Sequence, residues 1–543
     1  MPLIAIIALL IALPILGIVA AWLQLDAAAL DLLSQQMGTV LPAYLGTSAW
    51  LALAVTTGVV AVGAATAVTV SLFEFRGRRF FQWALLLPMA MPAYVSAYAY
   101  TDFLQYSGLL QSSLRELIPG LRLPEIRSLP GAIFLFIFTL YPYTYLLARN
   151  ALNERGVHLM EAARLLGTPL AARIRRVALP LARPALMAGA ALALMETLAD
   201  YGVGAYFGLS TFTTGIYKAW LVMDSHMAAA QLASVLLAIV ALLLWVERKG
   251  QQRLRFSSVR GQRSDAQETR LTPLRGGQRL LAWLICGLPI ILGFILPVLI
   301  LLRLMWNEFL HQSDDPYLNQ GVDLLRYAGW AWNSFRFGAI AAILAVAVAL
   351  ALSYVQRTRN LPPFKLWLLR LVTRMAAMGY AVPGSVIAVG ILLPLAWLQA
   401  VAPQNQVGIL VTATSLGILY AYLVRFSAVA VQSIEAGYAR IPATLDEAAR
   451  TLGSSGWRIA RILHAPLLWR SMATAFLMVF VDVVKELPAT LLLRPFNTDT
   501  LAVIAHNLAR DERLGEAALP ALTIVAVGLI PVLLVTKALT RRG

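Results

Sequence analysis

Twelve apolar runs, each long enough to cross a lipid bilayer, constrain this chain more than any other feature. A membrane-spanning helix needs about 20 predominantly apolar residues. Backbone groups in lipid must be hydrogen-bonded internally, and the runs are too long for barrel strands, so we predict helices. The candidate spans lie at roughly 3–24, 47–72, 81–104, 130–149, 185–207, 227–246, 280–302, 333–355, 376–398, 408–428, 471–493 and 517–538. The sequence therefore predicts an all-α integral membrane protein.

Composition and charge support this class. Of the 543 residues, 59% are hydrophobic and 13% are charged, whereas a soluble domain has about 25% charged residues. The formal charge is +17, but the basic residues collect in alternate loops, which is the positive-inside pattern rather than a nucleic-acid site. Loops 73–79, 150–183, 247–278, 356–374 and 430–470 with the tail 539–543 hold 29 Lys and Arg residues, and the opposite loops hold 7. We expect the first set and both termini to be cytoplasmic.

The N-terminal run resembles a signal peptide in length only. It has no basic residues before its apolar segment, which a signal peptide carries. We expect it to remain as the first spanning helix. The single cysteine, Cys286, lies inside an apolar run and is expected to be a buried small hydrophobe.

A polar, basic segment divides the chain into two halves of six spans. Residues 247–278 have few apolar side chains, which is typical of a cytoplasmic linker held at an anionic lipid surface. We therefore predict a first half at 1–246, with its core at about 47–246, and a second half at 279–543, with its core at about 333–538.

The two halves share a repeated motif. Loop 150–183 contains EAARLLGTPLAARIRRVALP from Glu161 to Pro180, and loop 430–470 contains EAARTLGSSGWRIARILHAP from Glu447 to Pro466. The offset is 286 throughout, as expected for an internal duplication. Each copy predicts a helix, a glycine that ends it in a left-handed conformation, and a second helix that its proline stops or kinks.

This motif resembles the coupling loop of permeases of ATP-binding-cassette (ABC) importers. The first copy fits the pattern Glu-Ala-Ala, three residues, Gly, nine residues, Ile-x-Leu-Pro, with Val177 in the Ile position. The second departs from it at Leu463, His464 and Ala465. The resemblance implies a type I importer permease fold and two copies of an ATPase subunit, each gripping one loop. The coupling residues that it implies are Glu161, Ala162, Ala163, Gly167 and Pro180, with Glu447, Ala448, Ala449, Gly453 and Pro466.

The same offset relates four carboxylates within predicted spans. Glu196 and Asp200 stand four residues apart and predict one shared helix face, and Asp482 and Glu486 repeat them 286 residues later. Each pair lies about 18 Å from the cytoplasmic end of its span, at about 1.5 Å per residue. Ionisable groups in spans are costly and indicate function. They could form an anionic path for a hard cation.

Two further observations bear on this path. Tyrosine oxygens are also available to a hard cation, among them those of Tyr94 and Tyr98. In the alternative interpretation, Lys485 pairs with one of the acids, and the others cap broken helices or link the halves.

Three more stretches resemble the fused permeases of ferric-iron importers. They are MAMPAYVSAYAYTDFLQYSG (89–108), ETLADYGVGAYFGLSTFTTGIYKAW (196–220) and KELPATLLLRPFNTDTLAV (485–503). The resemblance implies a bacterial inner-membrane permease that receives Fe(III) from a periplasmic binding protein. That protein would dock on loops 105–129, 207–226, 304–332 or 495–515. Thiamine importers have similar fused permeases, so thiamine remains an alternative substrate.

No enzyme constellation accompanies these motifs. The sequence has no GxxxxGK[ST] loop, so we expect ATP and Mg²⁺ to bind the partner ATPase and no cofactor to bind this chain. The five histidines have no metal-ligand spacing. The rival class is a gradient-driven secondary transporter, which would not need two coupling loops. A membrane scaffold would leave the four acids unexplained.

Overall fold

The computed structural model describes residues 2–24, 27–153, 157–255, 271–310, 323–358, 379–402 and 406–540, with the single positions 362, 369, 373 and 404. Up to residue 255 the helices are Pro2–Ala21, Trp22–Gln24, Ala27–Gly38, Val40–Leu72, Arg78–Ala84, Leu87–Ala90, Ala93–Leu104, Leu109–Leu117, Leu129–Ala151, Val157–Leu165, Leu170–Arg173, Ile174–Ala178, Leu179–Ala199, Gly202–Tyr206, Phe212–Tyr217, Lys218–Val222 and His226–Arg255.

The helices continue through the second half. They are Gly277–Ile290, Ile291–Ile295, Leu296–Leu310, Leu324–Thr358, Gly379–Ala381, Gly384–Val401, Val407–Ala413, Leu416–Tyr438, Ala443–Thr451, Gly456–Arg458, Ile459–His464, Ala465–Val484, Pro488–Leu493, Leu501–Arg510 and Leu514–Thr540. Two short parallel strands, Phe73–Glu74 and Thr272–Pro273, pair with each other. The predicted linker 247–278 is helical up to Arg255, and its residues 256–270 lie outside the described part of the chain.

The chain forms two compact units that interleave the sequence. The first-half unit contains Pro42–Thr214, Ala238–Gly321 and Ala505–Gly543. The second-half unit contains Met1–Leu41, Gly215–Leu237 and Val322–Ile504. Each unit is therefore completed by segments from both halves of the sequence, which the linear order of spans does not reveal.

The all-α membrane fold class is confirmed. Ten helices in the described part of the chain are long and apolar enough to span a membrane, and Leu9–Ala21 is a shorter apolar helix. The predicted third span at 81–104 is not one continuous helix. Helical segments 78–90 and 93–117 meet there at 91°. Pro92 stands at the bend and cannot donate the backbone hydrogen bond that a continuous helix requires.

Glycines let helices approach closely inside both units. In the second-half unit, a Cβ on Gly17 would meet the Gly390 carbonyl oxygen, and one on Gly390 would meet the Pro14 carbonyl. In the first-half unit, a Cβ on Gly189 would lie 2.5 Å from Thr144 Cα. Small residues at such crossings allow the backbone contact that stabilises helix pairs in lipid. The N-terminal helix is thus packed into its unit. Cys286 is buried, as predicted.

Candidate functional site

Each repeated motif forms a short helix that ends in the same hydrogen-bonded turn. The first EAA helix is Val157–Leu165 and the second is Ala443–Thr451. Gly167 and Gly453 have φ of 73° and 77°, in the left-handed region. In the first motif the Gly167 N–H donates to the Arg164 carbonyl, and the Thr168 N–H donates to the Ala163 carbonyl. This double closure is the Schellman motif, so the predicted helix-ending glycines are confirmed.

The second motif repeats that turn bond for bond. The Gly453 N–H donates to the Arg450 carbonyl at 2.9 Å, and the Ser454 N–H donates to the Ala449 carbonyl at 3.0 Å. Ala162 and Ala448 are exposed, whereas Ala163 and Ala449 are half-buried. The side chain of Glu161 lies outside the described part of the structure, and Glu447 is exposed. The two loops therefore present matching surfaces.

Large apolar side chains project from both turns. Exposed fractions are 89% for Leu165, 83% for Leu166, 85% for Leu452 and 77% for Trp457. These residues flank basic loops that the charge pattern places outside the bilayer. An exposed apolar patch in a polar region marks a surface that a partner protein covers.

The prolines of the motif do not stop the helix, which was one of the two predicted effects. Pro180 and Pro466 lie in the first turn of Leu179–Ala199 and Ala465–Val484. Each follows a π-helical turn, Ile174–Ala178 or Ile459–His464, so helical structure continues through the motif instead of stopping. Wider π turns leave room where proline cannot donate a backbone hydrogen bond.

The predicted fifth and eleventh spans both break at their second acid. The helices end at Ala199 and Val484, so Asp200 and Glu486 lie beyond the helices that carry Glu196 and Asp482. The prediction that each pair shares one helix face was therefore wrong. Polar side chains that accept backbone N–H bonds favour such breaks over a continuing helix.

The second acids instead cap the short helices that follow. Asp200 Oδ1 accepts the Val203 N–H at 2.8 Å, at the start of Gly202–Tyr206. Glu486 accepts the Ala489 and Thr490 N–H groups at 2.9 and 3.0 Å, at the start of Pro488–Leu493. Both carboxylates thereby satisfy backbone donors that would otherwise have no partner at a helix start. The alternative interpretation, that some acids cap broken helices, is confirmed for these two.

A buried ion pair neutralises the acid of the second half. Arg425 Nη1 lies 3.0 Å from Glu486 Oε1, and both side chains are buried. Gly384 provides the space, because a Cβ there would meet Arg425 Nη1 and lie 2.7 Å from Glu486 Oε1. At the offset of 286, Thr139 stands in the position of Arg425, so the first half has no cation there. The sequence analysis did not find Arg425, whose single charge lies in an apolar run.

The first acid of each pair, Glu196 or Asp482, lies in the last turn of its helix. Asp482 Oδ1 lies 2.8 Å from Lys485 Nζ, which confirms the alternative pairing for this residue. Glu196 is half-buried in the last turn of Leu179–Ala199. The four acids divide equally between the two compact units.

Aromatic rings and one imidazole cluster around Asp200 in the first-half unit. The Tyr98 hydroxyl and His506 Nδ1 are hydrogen-bonded at 2.9 Å. The Tyr98 ring lies 5.7 Å from that of Tyr94, and the His506 ring lies 5.6 Å from that of Tyr201. Asp200 is close enough to interact electrostatically with the Tyr98 phenol. Tyr94 and Tyr98 were predicted from the sequence, whereas His506 was not, because it is 408 residues away from Tyr98.

Loop 105–129 carries three arginines, although the charge pattern places it on the side poor in basic residues. Its segment from Gln105 to Arg127 lines a cavity of about 410 Å³ that includes Arg122, Glu125 and Arg127. Arg115 Cζ lies 3.9 Å from the centre of the Tyr106 ring. Basic side chains on such a face oppose the positive-inside bias, which favours a functional reason for them.

Comparisons with known proteins agree with the duplicated architecture. The family model for the "binding-protein-dependent transport system inner membrane component" matches residues 58–255 and again residues 363–542. The chain is 25% identical over 489 residues to the "Fe(3+)-transport system permease protein FbpB 2" of Haemophilus influenzae, covering 90% of this chain and 88% of that protein. It is 24% identical over 518 residues to the "Probable ABC transporter permease protein y4fN" of Sinorhizobium fredii, covering 92% and 88%.

A third similarity is confined to part of the chain. The "Maltose/maltodextrin transport system permease protein MalG" of Vibrio parahaemolyticus is 28% identical over 227 residues, which cover 39% of this chain and 71% of that protein. The Haemophilus influenzae and Sinorhizobium fredii proteins thus match both halves of this chain. The Vibrio parahaemolyticus protein matches a length slightly shorter than one half.

Proposed function

This chain belongs to the family of binding-protein-dependent transport system inner membrane components and is a permease subunit of an ABC importer. On that premise we propose that its substrate is ferric iron, delivered by a periplasmic binding protein. The observation that carries this proposal is the similarity to an Fe(3+)-transport permease over 90% of the chain. Family membership also decides against a gradient-driven secondary transporter.

The two EAA helices are the proposed docking points for two ATPase copies. Both carry the same closing turn and an exposed leucine at the equivalent position, Leu166 or Leu452, so each can present an apolar side chain to a groove on a partner. ATP and Mg²⁺ bind that partner in this proposal. Closure of the two ATPase copies would move both helices and reopen the spans toward the outside. In this proposal both termini are cytoplasmic, because the loops assigned to the side of the termini hold 29 Lys and Arg residues and the opposite loops hold 7.

The outer face would receive the binding protein. Among the candidate loops 105–129, 207–226, 304–332 and 495–515, the first carries the cavity lined by Arg122 and Arg127. An acidic surface on the binding protein would complement these charges and steer its approach. Asp314 and Asp315 of the third loop lie outside the described residues.

The proposed path uses Glu196 and Asp482 with the tyrosine cluster. Carboxylate and phenol oxygens are the ligand types that hard cations prefer. Asp200 adds a capping carboxylate beside Tyr98, whereas Arg425 already neutralises Glu486.

The test of substrate and energy source is uptake by proteoliposomes. The permease is reconstituted with its ATPase and binding protein and offered Fe(III), thiamine or maltose. ATP-dependent uptake of Fe(III) alone is expected, and no uptake without the binding protein. Uptake of thiamine or maltose in preference to Fe(III) would refute the iron assignment and leave the permease function intact.

The double variant Glu196→Gln with Asp482→Asn should abolish Fe(III) uptake. The amides keep the side-chain size but remove both negative charges from the proposed path. Uptake and ATPase co-purification are measured on the same preparations, and the ATPase should remain bound. Asp31→Asn, an exposed carboxylate outside the spans and proposed docking loops, is the control. If the double variant takes up Fe(III) at the wild-type rate, these two acids are not part of the path.

A further inference from the structure

A buried polar cluster holds the second EAA helix. It consists of Arg357, Tyr438, Asp446 and His464, all within the second-half unit. Asp446, in the first turn of the second EAA helix, receives the Arg357 Nε–H on Oδ2 at 2.6 Å. Its other oxygen, Oδ1, lies 2.8 Å from His464 Nε2. Both carboxylate oxygens are thus bonded to cationic or imidazole donors.

Arg357 joins three elements at one point. Besides Asp446, its guanidinium donates to the carbonyl of Tyr438 at 3.1 Å, of Ile441 at 2.9 Å and of Pro442 at 3.0 Å. These carbonyls end the helix Leu416–Tyr438 and form the turn into the second EAA helix. A planar guanidinium with several fixed donors suits such a junction, which a lysine could not reproduce.

His464 completes the cluster from the π-helical turn Ile459–His464. Its Nδ1 lies 3.3 Å from the Tyr438 hydroxyl, so a neutral ring donates from Nε2 to Asp446 and accepts from Tyr438 at Nδ1. Burial alone would raise the pKa of Asp446, but the hydrogen bonds from Arg357 and His464 lower it overall. The carboxylate therefore stays ionised between its two donors at neutral pH.

The positions equivalent to this cluster around the first EAA helix carry no polar side chain except that of a serine. At the offset of 286 the positions of Arg357, Tyr438, Asp446 and His464 are occupied by Ser71, Leu152, Met160 and Ala178. Met160 is buried. His464 stands where the first motif has Ala178, so only the second motif has an imidazole at this position to bond the carboxylate of Asp446.

We propose that Arg357, Asp446 and His464 are positioning residues that fix the second EAA helix to the helices Leu324–Thr358 and Ala465–Val484. Any movement of the second EAA helix is then transmitted directly to these two helices. The inference rests on the proposed function, because the position of the helix matters only if an ATPase moves it. Breaking one bond of a buried charged network is costly, since the remaining charge keeps no equivalent partner.

The coupling readout is Fe(III) taken up per ATP hydrolysed, measured per assembled complex in proteoliposomes. For Asp446→Asn and His464→Gln we expect this ratio to fall about tenfold each, within the range of coupled neighbours. The double variant should be no worse than the more affected single variant, because the two residues act as one unit. The ATPase should stay bound, since Leu452 and Trp457 are unchanged. Asp31→Asn is again the control.

A positional readout needs neither substrate nor ATPase. Spin labels are placed at Thr451→Cys, at the end of the second EAA helix, and at Thr474→Cys, in Ala465–Val484, with Cys286→Ser as background. The distance distribution between the labels should be narrow in the wild type and broad in Asp446→Asn. This measurement separates helix position from the amount or stability of the protein.

Each combination of results decides the question. A broadened distance with a lower uptake ratio supports the positioning role, whereas a lower ratio with an unchanged distance overturns it, because the helix would then have kept its position. An unchanged ratio overturns it, whether or not the distance broadens, because coupling would then not depend on the cluster. If the wild-type complex takes up no Fe(III) with ATP, the iron proposal fails instead. The substrate that the wild type does transport is then used for the ratio.

Discussion

Replacing Arg425 by Met should destabilise the protein by about 3–5 kcal/mol, the cost of breaking a buried ion pair from one side. Glu486 would keep its bonds to the Ala489 and Thr490 N–H groups but lose its only described cationic partner. The measurement is the thermal unfolding midpoint in detergent, followed by fluorescence-detected size exclusion. A large decrease is expected.

The matched controls separate charge from packing. Arg326→Met removes an exposed pair with Asp323 and should change stability by less than about 1 kcal/mol. The double variant Arg425→Met with Glu486→Gln should recover part of the loss, since the buried charge is removed and the amide oxygen can still accept one of the two backbone N–H groups. If Arg425→Met unfolds at the wild-type temperature, the pair does not stabilise this unit.

Introducing aspartate at the exposed leucines should remove the ATPase. Leu165→Asp with Leu166→Asp alters the first EAA loop, and Leu452→Asp alters the second. Apolar anchors at the centre of an interface contribute about 2–4 kcal/mol each, so a charge there should prevent docking. The number of ATPase copies that co-purify with the permease is counted by native mass spectrometry. Either loop variant should retain one copy, and the combined variant none.

The control for this experiment is Leu117→Asp. This leucine is equally exposed but belongs to loop 105–129, on the opposite side in the predicted topology. It should keep two ATPase copies. Two copies on the combined EAA variant would contradict docking through these turns. Loss of both copies from a single-loop variant would show that the ATPase subunits bind only as a pair.

Periodic and repeated features of the sequence were enough to predict the fold class, the duplication and the glycine turns. The left-handed glycines at 167 and 453 follow from local chemistry, because a helix that ends at glycine closes the same turn wherever it occurs. The spans follow from length and apolarity alone.

Features that depend on contacts between distant segments could not be predicted. Asp200 and Glu486 continue a helical spacing in the sequence, but backbone N–H groups three or four residues later compete for their carboxylates and end the helix. Arg425 and His506 each meet their partner through the fold, 61 and 408 residues away. The interleaved units likewise arise from packing that no single window of sequence contains.

The interleaving imposes an order on biosynthesis. Gly17 packs against Gly390, so a further 373 residues must be translated after Gly17 before its contact partner exists. At about 5–20 residues per second this delay is roughly 20–75 s. During that time the newly made helix remains in the bilayer without its final neighbour. Completion of this unit is therefore a late event of translation, and truncated chains that end before residue 390 lack the surface that holds their own first helix.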